Sequence, residues 1–172
     1  MKMSDSQSIH ADAETVWAAL LNPEVLKQCV PGCQEMNGNA EEGFEAVVVQ
    51  KVGPVKATFK GAVAISEMNH PDSLSISGEG KGGAAGFAKG GADVRLEQDG
   101  DVTILHYDVE ANVGGKLAQL GSRIIDGFAK KMADQFFTNF KQTVEGTDGA
   151  EDGEETADGT KKKGWFKKLV SN

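Results

Sequence analysis

The chain reads as an α+β domain: a curved antiparallel sheet of about six to seven strands wrapped around a long C-terminal helix, with two short helices after the first strand. Three observations predict this. From Gln34 to Gly114 apolar residues recur at every second position between Gly, Asn and Asp punctuation, the pattern of an antiparallel meander with one covered face. From about Lys116 to Val144 they recur every third or fourth position, as on an amphipathic helix. Ahead of the meander, Asn22-Pro23 and Pro31-Gly32 cut the chain into two short helical pieces.

A short polar strand at Ser6 to His10 comes first. Asp12 is placed to cap a helix through Val16, Trp17, Leu20 and Leu21, which Asn22-Pro23 interrupts, and a second helix runs from Glu24 to Cys29. Within the meander, Val55, Ala57, Phe59, Gly61, Val63 and Ile65 share one strand face, with Lys56, Thr58 and Lys60 on the other. Leu74 with Ile76, and Leu105, Tyr107, Val109, Ala111 and Val113, face inward on two further strands, and Asp99-Gly100-Asp101 makes a hairpin turn. The last helix is roughly 43 Å long at about 1.5 Å per residue. Its stripe of Leu117, Leu120, Ile124, Phe128, Met132, Phe136 and Phe140 is expected to cover the concave face of the sheet. Gly121 and Gly127 within it each cost about 1 kcal/mol relative to alanine, so close packing or room for a ligand is expected there.

The chain has 172 residues and a formal charge of −8, which fits one domain with an appendage. Removing residues 146–172, with six acids and five lysines, leaves 20 acids and 13 bases, a net −7 that argues against nucleic-acid binding by the body. The start has no apolar run of signal-peptide type and no stretch is apolar enough to span a bilayer, so a cytoplasmic location is expected.

The final segment departs from this acidic character. Lys161, Lys162, Lys163, Lys167 and Lys168 interleave with Trp165, Phe166 and Leu169, a basic amphipathic patch of the kind that rests on a membrane surface. At about 1 kcal/mol per lysine the five charges contribute at most about 5 kcal/mol, enough for reversible contact with an anionic leaflet rather than insertion. A solvated charge run is the alternative, but it gives the Trp165-Phe166 pair no role. Gly146 to Thr160 carries six acids and no apolar side chain larger than alanine, and reads as a flexible leash. Its root-mean-square reach is roughly 20 Å. The expected organisation is a body at residues 1–145, an acidic linker at 146–160 and a membrane-binding tail at 161–172.

Catalytic and metal motifs are weak. Gly78, Gly80 and Gly83 form a G-x-G-x-x-G string, but a strand pattern follows it where a dinucleotide site needs a helix, so a flexible hairpin is the better reading. Phe87 at the centre of these glycines suits a mobile lip over a cavity, or a floppy loop. Cys29 and Cys33 lack C-x-x-C spacing and read as reduced thiols at a bend. His10, His70 and His106 are dispersed, and the face shared by His106 and Asp108 is expected to be solvated, so a catalytic dyad and any metal site are disfavoured.

Several segments together resemble a known family. Ala13-Glu14-Thr15-Val16-Trp17, Leu26-Lys27-Gln28-Cys29-Val30-Pro31-Gly32-Cys33, Val52-Gly53-Pro54-Val55-Lys56 and Gly115-Lys116-Leu117-Ala118-Gln119-Leu120-Gly121-Ser122-Arg123-Ile124 are similar to CoxG, the carbon monoxide dehydrogenase G-subunit family, within the START-like, or SRPBCC, helix-grip superfamily. The resemblance covers about residues 3 to 145. It implies a non-catalytic accessory of a molybdenum hydroxylase of the carbon monoxide dehydrogenase type, at the inner face of the cell membrane. It also implies an apolar cavity with a hydrophobic guest, a respiratory quinone being the natural candidate, and no covalently bound cofactor. The expected cavity walls are Phe59, Val63, Phe87, Tyr107, Leu117, Leu120, Ile124, Phe128 and Met132, with Tyr107 as the polar handle. Two alternatives stand beside this: a membrane-recruitment adaptor whose cavity is filled by side chains, and a lipid-binding or cyclase-like START protein.

Overall fold

The structure, a computed structural model, describes residues 1–152, with side chains to residue 146. The expected basic tail and the end of the expected leash lie outside the described residues.

Seven strands form one antiparallel sheet in the order β1-β7-β6-β5-β4-β3-β2. In chain order they are β1 (Lys2–Ile9), β2 (Cys33–Asn39), β3 (Gly43–Val52), β4 (Val55–Asn69), β5 (Ser73–Lys81), β6 (Phe87–Asp99) and β7 (Val102–Gly114). Helices α1 (Ala13–Leu20) and α2 (Pro23–Cys29) follow β1, and α3 (Lys116–Gln119) and α4 (Ser122–Asp152) follow β7. This is the α+β arrangement that the two hydrophobic periods predict, and the helix-grip order that the resemblance implies.

Local chemistry sets the boundaries. Asp12 accepts the Thr15 amide at 2.8 Å to start α1, and Asn22 accepts the Glu24 amide at 2.9 Å to start α2, where Pro23 lacks an amide hydrogen that would need a partner. The concave face carries Ile65, Ile76, Ala92 and Val109 in cross-strand register, and Leu74, Val94 and Tyr107 in the next rank. The densest core lies towards β1: Ile9, Val16, Trp17, Cys29, Leu105, Phe137, Phe140 and Val144 are buried together between the sheet, α1, α2 and the second half of α4. The Thr103 hydroxyl, buried beneath them, donates to the Ala11 carbonyl at 2.7 Å and so keeps its polar group partnered.

Four expectations are corrected. The first strand begins at Lys2 rather than Ser6, because its whole length pairs with β7. The single long helix is two: Gly121 adopts φ +90°, a conformation natural to glycine, and separates α3 from α4, so Leu117 and Leu120 are not on the long helix. The glycine-rich hairpin is far shorter than its composition suggests. Gly78 and Gly80 belong to β5, Gly90 and Gly91 to β6, and only residues 82–86 turn between them. Helix α4 continues across Gly146 to Asp152, so the expected leash begins as helix.

Candidate ligand-binding trough

Two halves of the helix-sheet interface differ sharply. Phe137, Phe140 and Val144, in the second half of α4, are buried, whereas Ile125, Phe128, Met132 and Phe136 in the first half are only half-buried and Ile124 is 41% exposed. The facing concave residues Val48, Phe59, Val63, Val109 and Val113 are likewise half-buried. Inward-pointing apolar side chains that solvent still reaches define an open trough, not a packed layer. Helix α4 has α1, α2, β1 and β3 as its close neighbours, and on the middle strands the buried core shared with its second half takes in Leu74, Val94 and Leu96 but not Val63, Gly78 or Gly80.

Small residues make the floor of the trough. Ala46, Gly61, Gly80 and Ala88 succeed one another in register from β3 to β6, and Val63, Gly78, Gly90 and Ala111 form the adjacent rank. A Cβ placed on Gly80 would meet nothing within 4 Å, and one on Gly61 would meet only backbone oxygens, at 3.7 and 4.0 Å. Gly61 and Gly80 are therefore not a response to crowding. They remove side chains from a surface that the helix leaves uncovered.

The expected cavity residues divide. Phe59 and Val63 rise from the floor, and Phe128 and Met132 are half-buried on α4, on the stripe that faces the sheet. Leu120 and Ile124 stand at one end, their methyl carbons 3.9 and 3.5 Å from where a Cβ on Gly53 would sit, at the β3–β4 turn. Leu117 is buried beneath α3. Tyr107 and Phe87 lie elsewhere. The Tyr107 ring stacks on Phe137 with centroids 5.1 Å apart, in the packed core. Burial foremost, then the carboxylates of Asp5 and Asp134, holds its phenol above the usual tyrosine range, against a hydrogen bond from Gln7. Its hydroxyl thus sits near the β1 edge, away from the expected handle position. Phe87 pairs across from Gly114 and falls on the side of β6 that bears Lys89, Asp93 and Arg95, the convex face, where it is 44% exposed. Its ring occupies the space a Cβ on Gly114 would need.

The polar candidates are peripheral. His106 Nε2 lies 2.9 Å from Glu97 Oε1 on the convex face, and His70 Nε2 lies 3.1 Å from Glu14 Oε2 beside the Trp17 ring. Cys29 is buried and Cys33 half-buried, both free; burial raises both thiols above the usual cysteine range. Among the described residues no cluster of three His, Cys, Asp or Glu side chains is able to hold a metal, and no helix is long and apolar enough to cross a membrane. Clefts of about 720 and about 320 Å³ open on the convex face and are lined by polar groups such as Ser75, Asp93, Arg95 and Asp108, or Glu45, Lys60 and Glu79.

Comparison with known proteins agrees with this architecture. Residues 6–145 match the model of the family described as the carbon monoxide dehydrogenase G subunit (CoxG). A conserved protein from Geobacillus kaustophilus superposes with a TM-score of 0.80 at 25% identity, covering 86% of this chain and 97% of that one. A START superfamily protein from Mycobacterium smegmatis gives 0.64 at 15% identity, covering 85% and 98%. The Thermus thermophilus protein TTHA0849 gives 0.64 at 10% identity, covering 86% and 99%. The last two show the fold alone, which is START-like. A search of curated proteins finds no match.

Proposed function

From the premise that the chain belongs to the CoxG family of carbon monoxide dehydrogenase, we propose that it is a non-catalytic accessory of a molybdenum hydroxylase of that type. In this reading it holds a respiratory quinone, or a lipid of similar shape, in the trough and links the enzyme to the cytoplasmic membrane for electron delivery. The observation that supports the guest is the glycine and alanine floor at Gly61 and Gly80, where a Cβ would meet little or nothing, together with apolar side chains left half-buried at Phe59 on the sheet and Phe128 and Met132 on α4. Apolar walls suit an isoprenoid tail and a quinone ring better than a charged substrate. The absence of an inward histidine along the trough walls, and the convex placement of His106, support a carrier over an enzyme.

The adaptor reading differs in one respect, a cavity filled by the chain's own side chains that therefore binds no guest. Titration with decylubiquinone, read by quenching of Trp17 and Trp165 fluorescence, separates the two. The native chain is expected to bind it saturably, and Phe128→Ala to bind at least tenfold more weakly while its urea midpoint moves little, because Phe128 is only half-buried. Binding that is absent in the native chain, or unchanged by Phe128→Ala, refutes the carrier.

A further inference from the structure

Charge on the body is segregated by end. One end gathers the β3–β4 turn at Gly53-Pro54, the 82–86 turn and the passage from β7 through α3 into α4. They converge there, since Gly53 lies against Leu120 and Ile124, and Gly86 against Gly114 and Gly115. The chain segments that build this end, residues 46–66, 80–92 and 111–125, contain Lys51, Lys56, Lys60, Lys81, Lys89, Lys116 and Arg123 and not one Asp or Glu, in a chain of 26 acids and 18 Lys and Arg. The opposite turns carry Glu41, Glu42, Asp72, Asp99 and Asp101. Three acids stand level with these segments in the sheet, Glu45 and Glu79 across from Ala62, Glu79 also across from Lys89, and Glu110 across from Gly91, so the end carries seven cations against three acids.

These cations oppose one another. Lys51 lies directly across from Lys56, and Lys60 directly across from Lys81. Like charges facing each other in a sheet are destabilising, and none of the seven is in an ion pair among the described residues. No acid lies opposite Lys51 or Lys56 in the sheet, while Lys89 lies directly across from Glu79, and Lys60 and Lys81 line a cleft with Glu45 and Glu79. Phe87 and Ile124, 44% and 41% exposed, stand at this same end.

We infer that this end docks on an anionic lipid surface and presents the trough to the bilayer from which its guest is drawn; the inference deepens the carrier reading and rests on it. Lipid fits better than an acidic protein because six of the seven cations are lysines. Protein interfaces favour arginine and are depleted in lysine, whereas lysine acts as a flexible point charge towards a fluid layer of headgroups. A partly exposed aromatic and a partly exposed aliphatic among lysines is also the composition that enters a membrane interface. The body as a whole is acidic, so an anionic leaflet repels the far end and turns the basic end towards itself.

The test uses the full chain and vesicles of equal parts phosphatidylcholine and phosphatidylglycerol loaded with ubiquinone. One variant carries Lys56→Glu, Lys81→Glu and Lys89→Glu; a control carries Lys27→Glu, Arg95→Glu and Lys131→Glu, an identical change in net charge away from this end. Ubiquinone uptake by the first is expected to be at least tenfold slower than by the control, with both binding decylubiquinone in buffer as the native chain does. Equal uptake by the two variants overturns the docking surface. So does intact uptake accompanied by lost coupling to the hydroxylase, which assigns this end to an acidic protein. Vesicle adhesion that still separates the variants sustains the surface even where decylubiquinone binding, and with it the carrier reading, fails.

Discussion

Asp12 accepts the Thr15 amide and thereby satisfies one of the donors that the first turn of α1 leaves without an intrahelical partner. The hydrogen bonds from Thr15, side chain foremost and then backbone, hold its carboxyl below the ordinary value of 3.8. The stabilisation is therefore fully present above that value and disappears as pH falls through the lower folded-state value. Asp12→Ala is expected to cost about 1 kcal/mol at neutral pH, measured by urea unfolding. The gap between variant and native chain closes below about pH 4. A gap that persists unchanged in acid contradicts the cap. Asp12 was readable from sequence because capping is local: an acid before an apolar helical run. Tyr107 and Phe87 were not. Strand alternation placed Tyr107 on the inward face, but which part of that face α4 would cover depended on the helix path, and Phe137 covers it. Phe87 sits where a short turn resets the alternation, so its side of the sheet followed from the register with Gly114.

At the scale of elements, the break between α3 and α4 governs the trough. Periodicity joined Leu117, Leu120 and Ile124 into one stripe because a single glycine interrupts neither the spacing nor the composition. Gly121 at φ +90° nevertheless ends α3, with the Leu120 amide donating to the Leu117 carbonyl at 3.1 Å, and lets α4 start in a new direction. Gly121→Ala meets no neighbouring atom within 4 Å, so its cost is conformational alone, about 1–2 kcal/mol for a left-handed non-glycine residue. Thermal unfolding is expected to register that loss, and an unchanged midpoint contradicts the break. The glycines of β5 and β6 misled in the opposite sense. Their composition suggested a loop, yet each side of the run is a regular strand; Gly80 leaves open space on the concave face, whereas a Cβ on Gly78 would press on the neighbouring strand at 3.2 Å, and one on Gly90 more closely still. Composition does not distinguish a glycine that bends the chain from one that makes room; only the register across four strands does.

For the molecule as a whole, the two hydrophobic periods made the sheet, its coverage by a C-terminal helix and the tail's contrast of charge legible. The open trough and the segregation of charge by end were not, since both arise from bringing together segments far apart in sequence. Gly61 and Gly80 become neighbours through β4–β5 pairing, and Lys51 faces Lys56 through β3–β4 pairing. A body with a dense core at one end and half-buried apolar side chains over a small-residue floor at the other is what the proposed carrier needs: rigid where it must hold its shape, open where a guest is proposed to sit. Gly80→Leu tests that claim most directly, because the new side chain enters space where nothing lies within 4 Å and replaces a strand glycine, so folding is expected to be unharmed. Native mass spectrometry after incubation with decylubiquinone is expected to show a one-to-one adduct on the native chain and none on folded Gly80→Leu. A native chain that stays bare, or a variant that carries the adduct equally well, contradicts the account.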